Sequence, residues 1–219
     1  MNKKSILIFG ALSSFISVAI EICESAGFHK IYCVDNLNRV KEKEIDGYKV
    51  LQVTEIKRET SSRKFICCIH TPLFRQTVAA EAKKLGLEAE SIIHKETILS
   101  SRATISPHGV LIAEGTIVSS HADISDFVLI NRGVKIGHDV NISSFTTVES
   151  GAMIGGLCTI GEKSYIGMGA IILPKVKIGN NCLIAAGAVV RGDVSDNLMV
   201  AGVPAVVKKT NIPGYISEN

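Results

Sequence analysis

The sequence predicts two architectures in one chain, an α/β domain followed by a parallel β-helix. In the second half, an Ile or Val recurs at every sixth position from Ile112 to Val190, and no member of the series is missing. A hexapeptide repeat is typical of a parallel β-helix, in which each repeat forms one side of a coil. In the first half, strand-like and helix-like segments alternate, which favours a parallel sheet covered by helices.

The repeat also predicts which side chains fill the interior of the β-helix. Four residues after each aliphatic position comes a small or β-branched residue, which suits a narrow core. Three hexapeptides make one coil, so residues 18 apart stack at strand spacing, about 4.8 Å. Ile136, Ile154 and Ile172 are therefore expected to form one ladder, and Ile130, Val148 and Ile166 another. A β-sandwich with coincidental spacing is the alternative, and fourteen unbroken repeats argue against it.

The first half is predicted as an α/β domain over residues 1–92, with the β-helix and a C-terminal tail over residues 93–219. We expect strands at residues 5–9, 30–34, 48–53, 64–70 and 88–93, and helices ending near residues 26 and 85. Residues 93–102 are interpreted as the linker into the β-helix. Ligands of parallel sheets bind at the carboxyl ends of the strands, here residues 10–14, Asp35-Asn36 and His70-Thr71. A plain packing domain is the alternative, because the first turn lacks a full glycine-rich phosphate motif.

Composition excludes several classes of function. The net charge is only +3 without a long basic run, so a nucleic-acid partner is not indicated. The six cysteines form no C-x-x-C pair, which argues against a zinc site or a disulfide framework and fits a reducing cytoplasm.

The apolar N-terminus superficially resembles a signal peptide. No small-x-small cleavage site follows it, and the stretch also fits a strand, a turn at Gly10 and a helix. We therefore predict a cytoplasmic protein without membrane insertion.

One ionisable pair in the repeat region can support chemistry, His138-Asp139. The six-residue period places His138 on a coil corner, in one column with Ser120, Gly156, Pro174 and Gly192. An imidazole can accept a proton from an attacking amine or hydroxyl near neutral pH, and a backbone N–H exposed by a glycine can hold an oxyanion. A solvated, inert histidine is the alternative, and it is our interpretation of His94, His108 and His121. A three-histidine zinc site is disfavoured by the spacing of His121 and His138.

With these motifs the chain resembles bacterial sugar O- and N-acyltransferases of the PglD/NeuD type, in the left-handed β-helix acetyltransferase superfamily. The resemblance covers nearly the whole chain. It includes the short α/β domain, the Leu-Ile-Asn and Gly-His-Asp segments of the repeats, and the Ala-Gly-Val-Pro-Ala segment at residues 201–205. It implies a left-handed helix, a homotrimer with active sites between subunits, acetyl-CoA as co-substrate, no metal, and a nucleotide-linked sugar acceptor.

The resemblance also implies roles for individual residues. His138 corresponds to the general base and Asp139 to its partner, while Gly156 supplies an N–H to the acetyl carbonyl. Further positions are expected to bind acetyl-CoA or the acceptor. For acetyl-CoA these are Met168, Ala186, Lys208 and Lys209, and for the nucleotide sugar they are Ser13, Ser14, Asp35 and Asn36.

Two positions depart from the family pattern. Thr147 stands where some relatives have a second histidine that contacts CoA, and Leu12-Ser13-Ser14 replaces a turn that is usually glycine-rich. Three functions follow as alternatives. The first, which is the function we predict, is acetyl-CoA-dependent N-acetylation of a nucleotide-linked 4-amino-dideoxy sugar for surface glycans. The nucleotide is expected to be UDP. The others are O-acetylation of a sialic-acid-like sugar and a non-catalytic trimeric scaffold.

Overall fold

The computed structural model describes residues 4–216 of the chain. Its first half is a six-stranded sheet with helices packed on it. The sheet order is β3-β4-β2-β1-β5-β6, and only the β3–β4 pair is antiparallel. The strands are β1 (Ser5–Phe9), β2 (Lys30–Asp35), β3 (Glu44–Ile45), β4 (Tyr48–Gln52), β5 (Lys64–Cys67) and β6 (Glu88–Ala89). The helices are α1 (Ile16–Ser25), α2 (Ile56–Glu59), preceded by a 3-10 turn (Val53–Glu55), and α3 (Pro72–Lys84).

The apolar N-terminal stretch forms the centre of this sheet. Residues 6–9 of β1 are buried, and β1 pairs in parallel with both β2 and β5. α1 follows and buries Ile16, Ala19 and Ile20 against the sheet. Apolar burial therefore explains the hydrophobicity of this stretch. Within residues 4–216, no helix has the length and apolar character needed to cross a membrane.

The second half is a parallel β-helix whose two-residue strands rotate among three faces. The first face contains β7 (Ile92–Ile93), β10 (Leu111–Ile112), β13 (Leu129–Ile130), β16 (Thr147–Val148), β19 (Tyr165–Ile166), β22 (Leu183–Ile184) and β24 (Met199–Ala201). The second face contains β8 (Ile98–Leu99), β11 (Ile117–Val118), β14 (Lys135–Ile136), β17 (Met153–Ile154), β20 (Ile171–Ile172) and β23 (Val189–Val190). The third face contains β9 (Thr104–Ile105), β12 (Asp123–Ile124), β15 (Asn141–Ile142), β18 (Thr159–Ile160) and β21 (Lys177–Ile178). An antiparallel strand, β25 (Val206–Lys209), pairs with β24.

The predicted stacking register is confirmed. Ile136 pairs with Ile154 and Ile154 with Ile172, and the ladder through Val148 forms in the same way. The aliphatic positions of the repeat are buried from Ile112 to Val190, and so are the small positions from Thr116 to Val194. Each buried aliphatic side chain stabilises the fold by about 1.5–3 kcal/mol.

Residues 93–102 belong to the β-helix itself, so their interpretation as a linker is wrong. β7 and β8 already form two sides of a coil, and β7 pairs with β10. This first coil stacks with a spacing of 19 residues, since Ile93 lies beside Ile112 and Ile105 beside Ile124. The extra residue interrupts the six-residue series, which hides the first coil in the sequence.

The predicted strand over residues 88–93 is likewise two strands in two sheets. β6 extends the α/β sheet beside β5, whereas β7 belongs to the first face of the β-helix. We propose that the two domains divide between these strands, close to the predicted boundary at residue 92. Residues 1–3 and 217–219 of the predicted domains lie outside the described residues.

The three faces differ in the side chains that point outward. On the first face, Ile92, Leu111 and Leu129 are buried in one cluster with residues of β1 and α1. The third face presents polar residues such as Asp123 and Asn141 to solvent. The second face presents exposed apolar side chains, among them Ile98 at 65% and Met153 at 38% exposure. The α/β domain therefore covers the first face, and the polar third face is exposed to solvent. The apolar second face is uncovered in the single chain.

Candidate active site

His138 and Asp139 lie at the corner that follows β14, between the second and third faces. Nδ1 of His138 is 2.7 Å from Oδ2 of Asp139. Asp139 adopts a left-handed backbone conformation, with φ of 56°, which turns the chain at this corner. The two side chains are 62% and 46% exposed, so a substrate can reach the imidazole.

Gly156 lies directly beside the imidazole on the next coil, as the period predicted. A Cβ on Gly156 would lie 2.6 Å from Nε2 of His138, so only glycine leaves this space open. A Cβ on Gly137 would lie equally close to the nitrogen of Gly156. Within the described chain, the N–H of Gly156 makes no hydrogen bond to another backbone group. The corner thus combines a hydrogen-bonded imidazole with an N–H that is free to bind an oxyanion.

An apolar groove of about 330 Å³ runs along the second face beside this corner. Met153, Ile171 and Leu173 contribute apolar surface, and Gly155 and Pro174 also line the groove. Such a surface can accept a flexible apolar chain or a second protein surface.

The predicted CoA contacts lie elsewhere on the β-helix. Met168 and Ala186 occupy the corner between the first and second faces, and both are exposed. They stack on successive coils, since the N–H of Gly187 donates to the carbonyl of Met168. Within one chain, these residues and His138 therefore lie at opposite edges of the second face. Lys208 and Lys209 are exposed on β25.

The predicted acceptor contacts lie at the carboxyl edge of the α/β sheet. Ser13 donates from its hydroxyl to the carbonyl of Cys68, whereas Ser14 is exposed. Asp35 is buried, and its carboxylate accepts hydrogen bonds from the N–H groups of Leu37, Arg39 and Val40. Asp35 thus organises the loop after β2, and Asn36 next to it is half-buried.

A polar cluster between the two domains was not predicted from the sequence. Glu149, at the end of β16, is buried and accepts hydrogen bonds from Asn131 at 2.8 Å and Tyr165 at 2.9 Å. His70, after β5, lies 2.6 Å from the same carboxylate through Nδ1. Burial by itself would raise the pKa of Glu149, but the hydrogen bonds from His70, Asn131 and Tyr165 hold it below its usual value. The sequence does contain a signal for this cluster, because Glu149 is the only acidic residue that directly follows an aliphatic member of the six-residue series.

Arg75 of α3 is fully buried beside this cluster and joins the two domains. It donates to the carbonyls of His70, Phe127 and Phe145 and to the hydroxyl of Thr147. Burial lowers the pKa of Arg75 to about 10. Thr147, whose hydroxyl donates to the carbonyl of His70, therefore serves the contact between the domains.

Comparisons with known proteins agree with this architecture. The model of the bacterial transferase hexapeptide family (six repeats) matches residues 157–192. No curated protein sequence matches the chain. Among solved structures, the acetyltransferase domain of PglB from Neisseria gonorrhoeae in complex with acetyl coenzyme A has a TM-score of 0.86 at 24% identity, covering 94% of this chain and 100% of that one.

Two further structures are similar over the same length. PerB from Caulobacter crescentus in complex with CoA and GDP-perosamine has a TM-score of 0.86 at 24% identity, covering 94% of this chain and 98% of that one. WeeI from Acinetobacter baumannii has a TM-score of 0.70 at 20% identity, covering 94% and 100%. At these identities the similarity establishes the fold. It confirms the predicted fold, an α/β domain followed by a left-handed parallel β-helix.

Proposed function

We propose that this protein is an acetyl-CoA-dependent N-acetyltransferase that acts on a nucleotide-linked amino sugar. The observation that carries the proposal is the His138 corner, where an imidazole bound to Asp139 lies over Gly156. The similar PglB domain binds acetyl coenzyme A, and PerB binds CoA and GDP-perosamine. For the nucleotide of the acceptor, UDP is our expectation from the resemblance described above.

In the proposed mechanism, the Nδ1–H of His138 donates a hydrogen bond to the carboxylate of Asp139, so the lone pair of the neutral ring lies on Nε2 and can act as base. The acceptor amine attacks the thioester carbonyl carbon while Nε2 takes its proton. The N–H of Gly156 donates to the oxyanion of the tetrahedral intermediate. Collapse of the intermediate breaks the C–S bond, and the thiolate leaves as CoA with a proton from the imidazolium.

We also propose a homotrimer, in which the uncovered second faces pack near one another. The exposed apolar residues of this face, Ile98 and Met153 among them, are a surface that a monomer would leave in water. Association would bring the Met168 and Ala186 corner of one copy towards the His138 corner of another. A native mass of three monomers is expected. Met153→Glu should reduce that mass, whereas Asn141→Glu on the solvated third face should leave it unchanged.

The remaining site residues are assigned by position. Met168 and Ala186 would contact the pantetheine arm through backbone atoms, and Lys208 and Lys209 would meet the phosphates of CoA. Ser13, Ser14 and Asn36 would line the acceptor site, with Asp35 shaping its loop. We infer a cytoplasmic location, which fits six cysteines that are all buried and free.

The test is thiol release from acetyl-CoA with UDP-, dTDP- and GDP-linked 4-amino sugars. Wild type, His138→Ala and the surface control His121→Ala are compared. We expect turnover in wild type and in His121→Ala, and none in His138→Ala. A trimeric, CoA-binding His138→Ala variant with full kcat would refute His138 as the base. Resistance of the transferred acetyl group to mild base separates an amide from the ester that a sialic-acid-like acceptor would give.

A further inference from the structure

The two domains share a second histidine–carboxylate pair, formed by His70 and Glu149. We propose that Nε2 of His70 is a specificity-determining contact for the acceptor, and that it selects a hydrogen-bond donor there, a hydroxyl or a ring N–H. This inference rests on the proposed function, because the acceptor is the substrate assigned to the α/β domain.

The surroundings of Glu149 determine which nitrogen of His70 carries the proton. Three side chains converge on this carboxylate, and two of them, Asn131 and Tyr165, can only donate to it. An ionised carboxylate only accepts hydrogen bonds, so Nδ1 of His70 must donate to it. In a neutral ring, the lone pair then lies on Nε2. His70 therefore offers a hydrogen-bond acceptor.

The position of His70 in the fold places it where ligands of parallel sheets bind. His70 follows β5 at the carboxyl edge, beside the turn after β1. The ring of Phe15 packs edge-on against the imidazole, with centroids 4.5 Å apart. The side chain of His70 is 25% exposed although its Nε2 is buried, so contact of a ligand with Nε2 requires a movement of the side chains around it.

Two buried side-chain atoms in residues 4–216 lack a hydrogen-bond partner, and both lie at this edge. They are Nε2 of His70 and Oε1 of Gln52, at the end of β4. Buried polar atoms are nearly always paired, so each exception requires an explanation. Three strand spacings, about 14 Å, separate β4 from β5 in the sheet. An extended ligand with donor groups, such as a nucleotide-linked sugar, could satisfy both atoms.

The test compares acceptor kinetics in wild type, His70→Phe and the exposed control His108→Phe. We expect the KM for the acceptor to rise about three- to tenfold in His70→Phe, as loss of one hydrogen bond implies. The kcat and the KM for acetyl-CoA should stay near wild-type values. His70→Gln keeps an acceptor oxygen, so the KM for the acceptor should rise less than in His70→Phe. This second variant keeps the test valid if His70→Phe folds poorly.

Nitrogen-15 NMR of the histidine rings gives a readout that does not need turnover. In the free protein, His70 should carry its proton on Nδ1, and Nε2 should shift when the nucleotide-linked sugars are added. In Glu149→Gln the amide can donate to Nδ1, which should move the proton to Nε2.

The outcomes separate the two proposals. Absence of wild-type turnover with every acceptor would count against the proposed function. Wild-type turnover with an unchanged KM in both His70 variants would overturn the present inference alone. A protonated Nε2 in the free protein, or no shift with any of the nucleotide sugars, would also overturn it.

Discussion

Nε2 of His138 lies against Gly156, 2.6 Å from the position that a Cβ on that residue would occupy. The two residues are 18 apart in sequence and one coil apart in the β-helix. The imidazole and the free N–H of Gly156 can therefore act on the same carbonyl group only while residue 156 has no side chain.

Gly156→Ala should lower kcat by about ten- to a hundredfold, because the added methyl group displaces the imidazole. Gly192→Ala is the matched control, since it lies in the same column and its Cβ would meet no atom within 4 Å. Steady-state kinetics and the thermal midpoint of both variants test this. Equal activity in the two variants would contradict the assigned geometry.

Asp139→Asn should lower kcat about a hundredfold or more while the fold is retained. An asparagine amide can donate to Nδ1 of His138, which places the ring proton on Nε2 and removes the base. Asp123→Asn, on the exposed third face, serves as the control and should keep its activity. The measurement is the kcat of Asp139→Asn and of Asp123→Asn with the preferred acceptor. Similar kcat values in the two variants would exclude a catalytic role for Asp139.

Arg75→Met should destabilise the protein by about 3–5 kcal/mol, because it leaves the carbonyl of Ile69 in the α/β domain and those of Phe127 and Phe145 in the β-helix without donors. Arg58→Met should have little effect, since the side chain of Arg58 is 72% exposed and its ion pairs are superficial. Urea unfolding of the two variants measures the difference. A stability of Arg75→Met close to that of Arg58→Met would show that the contact between the domains does not depend on this guanidinium.

Stability should fall at alkaline pH because burial protects thiols of the α/β domain from ionisation. Burial raises the pKa of Cys67 from 9.0 to about 12. The folded thiol thus stays protonated where an unfolded one ionises, so its contribution is complete below pH 9 and is lost as pH rises towards 12. The free energy of unfolding should decline above pH 9, and less steeply in Cys67→Ala. Identical slopes would contradict this.

The same burial predicts that the cysteines are inert in the native protein. Cys23, Cys33, Cys67, Cys68, Cys158 and Cys182 are all buried. Since the thiolate is the reactive form, none should react with a disulfide reagent at pH 8, whereas all should react after denaturation. Rapid labelling of the native protein would show that the α/β domain or the β-helix opens readily.

The repeat explains why so much of the candidate site was predictable from the sequence. A period of six with three sides to a coil fixes which residues stack, so the contact between His138 and Gly156 follows from counting. The first coil escaped prediction because one extra residue before Ile112 changes the spacing from 18 to 19. Secondary structure in the α/β domain followed from apolar runs ended by glycine, proline or polar residues.

The sequence by itself determined the β-helix, its interior and the His138 corner, because a strict local period dictates a repeated local structure. Only the tertiary structure decided how the α/β domain sits on the first face. It also revealed that Glu149 meets His70, which is 79 positions earlier in the chain, and that Arg75 reaches Phe127 and Phe145. These contacts depend on the packing of two separately formed domains, for which no local pattern exists. The physical reason is that periodicity specifies neighbours within a repeat, whereas a contact between domains depends on the complementarity of two whole surfaces.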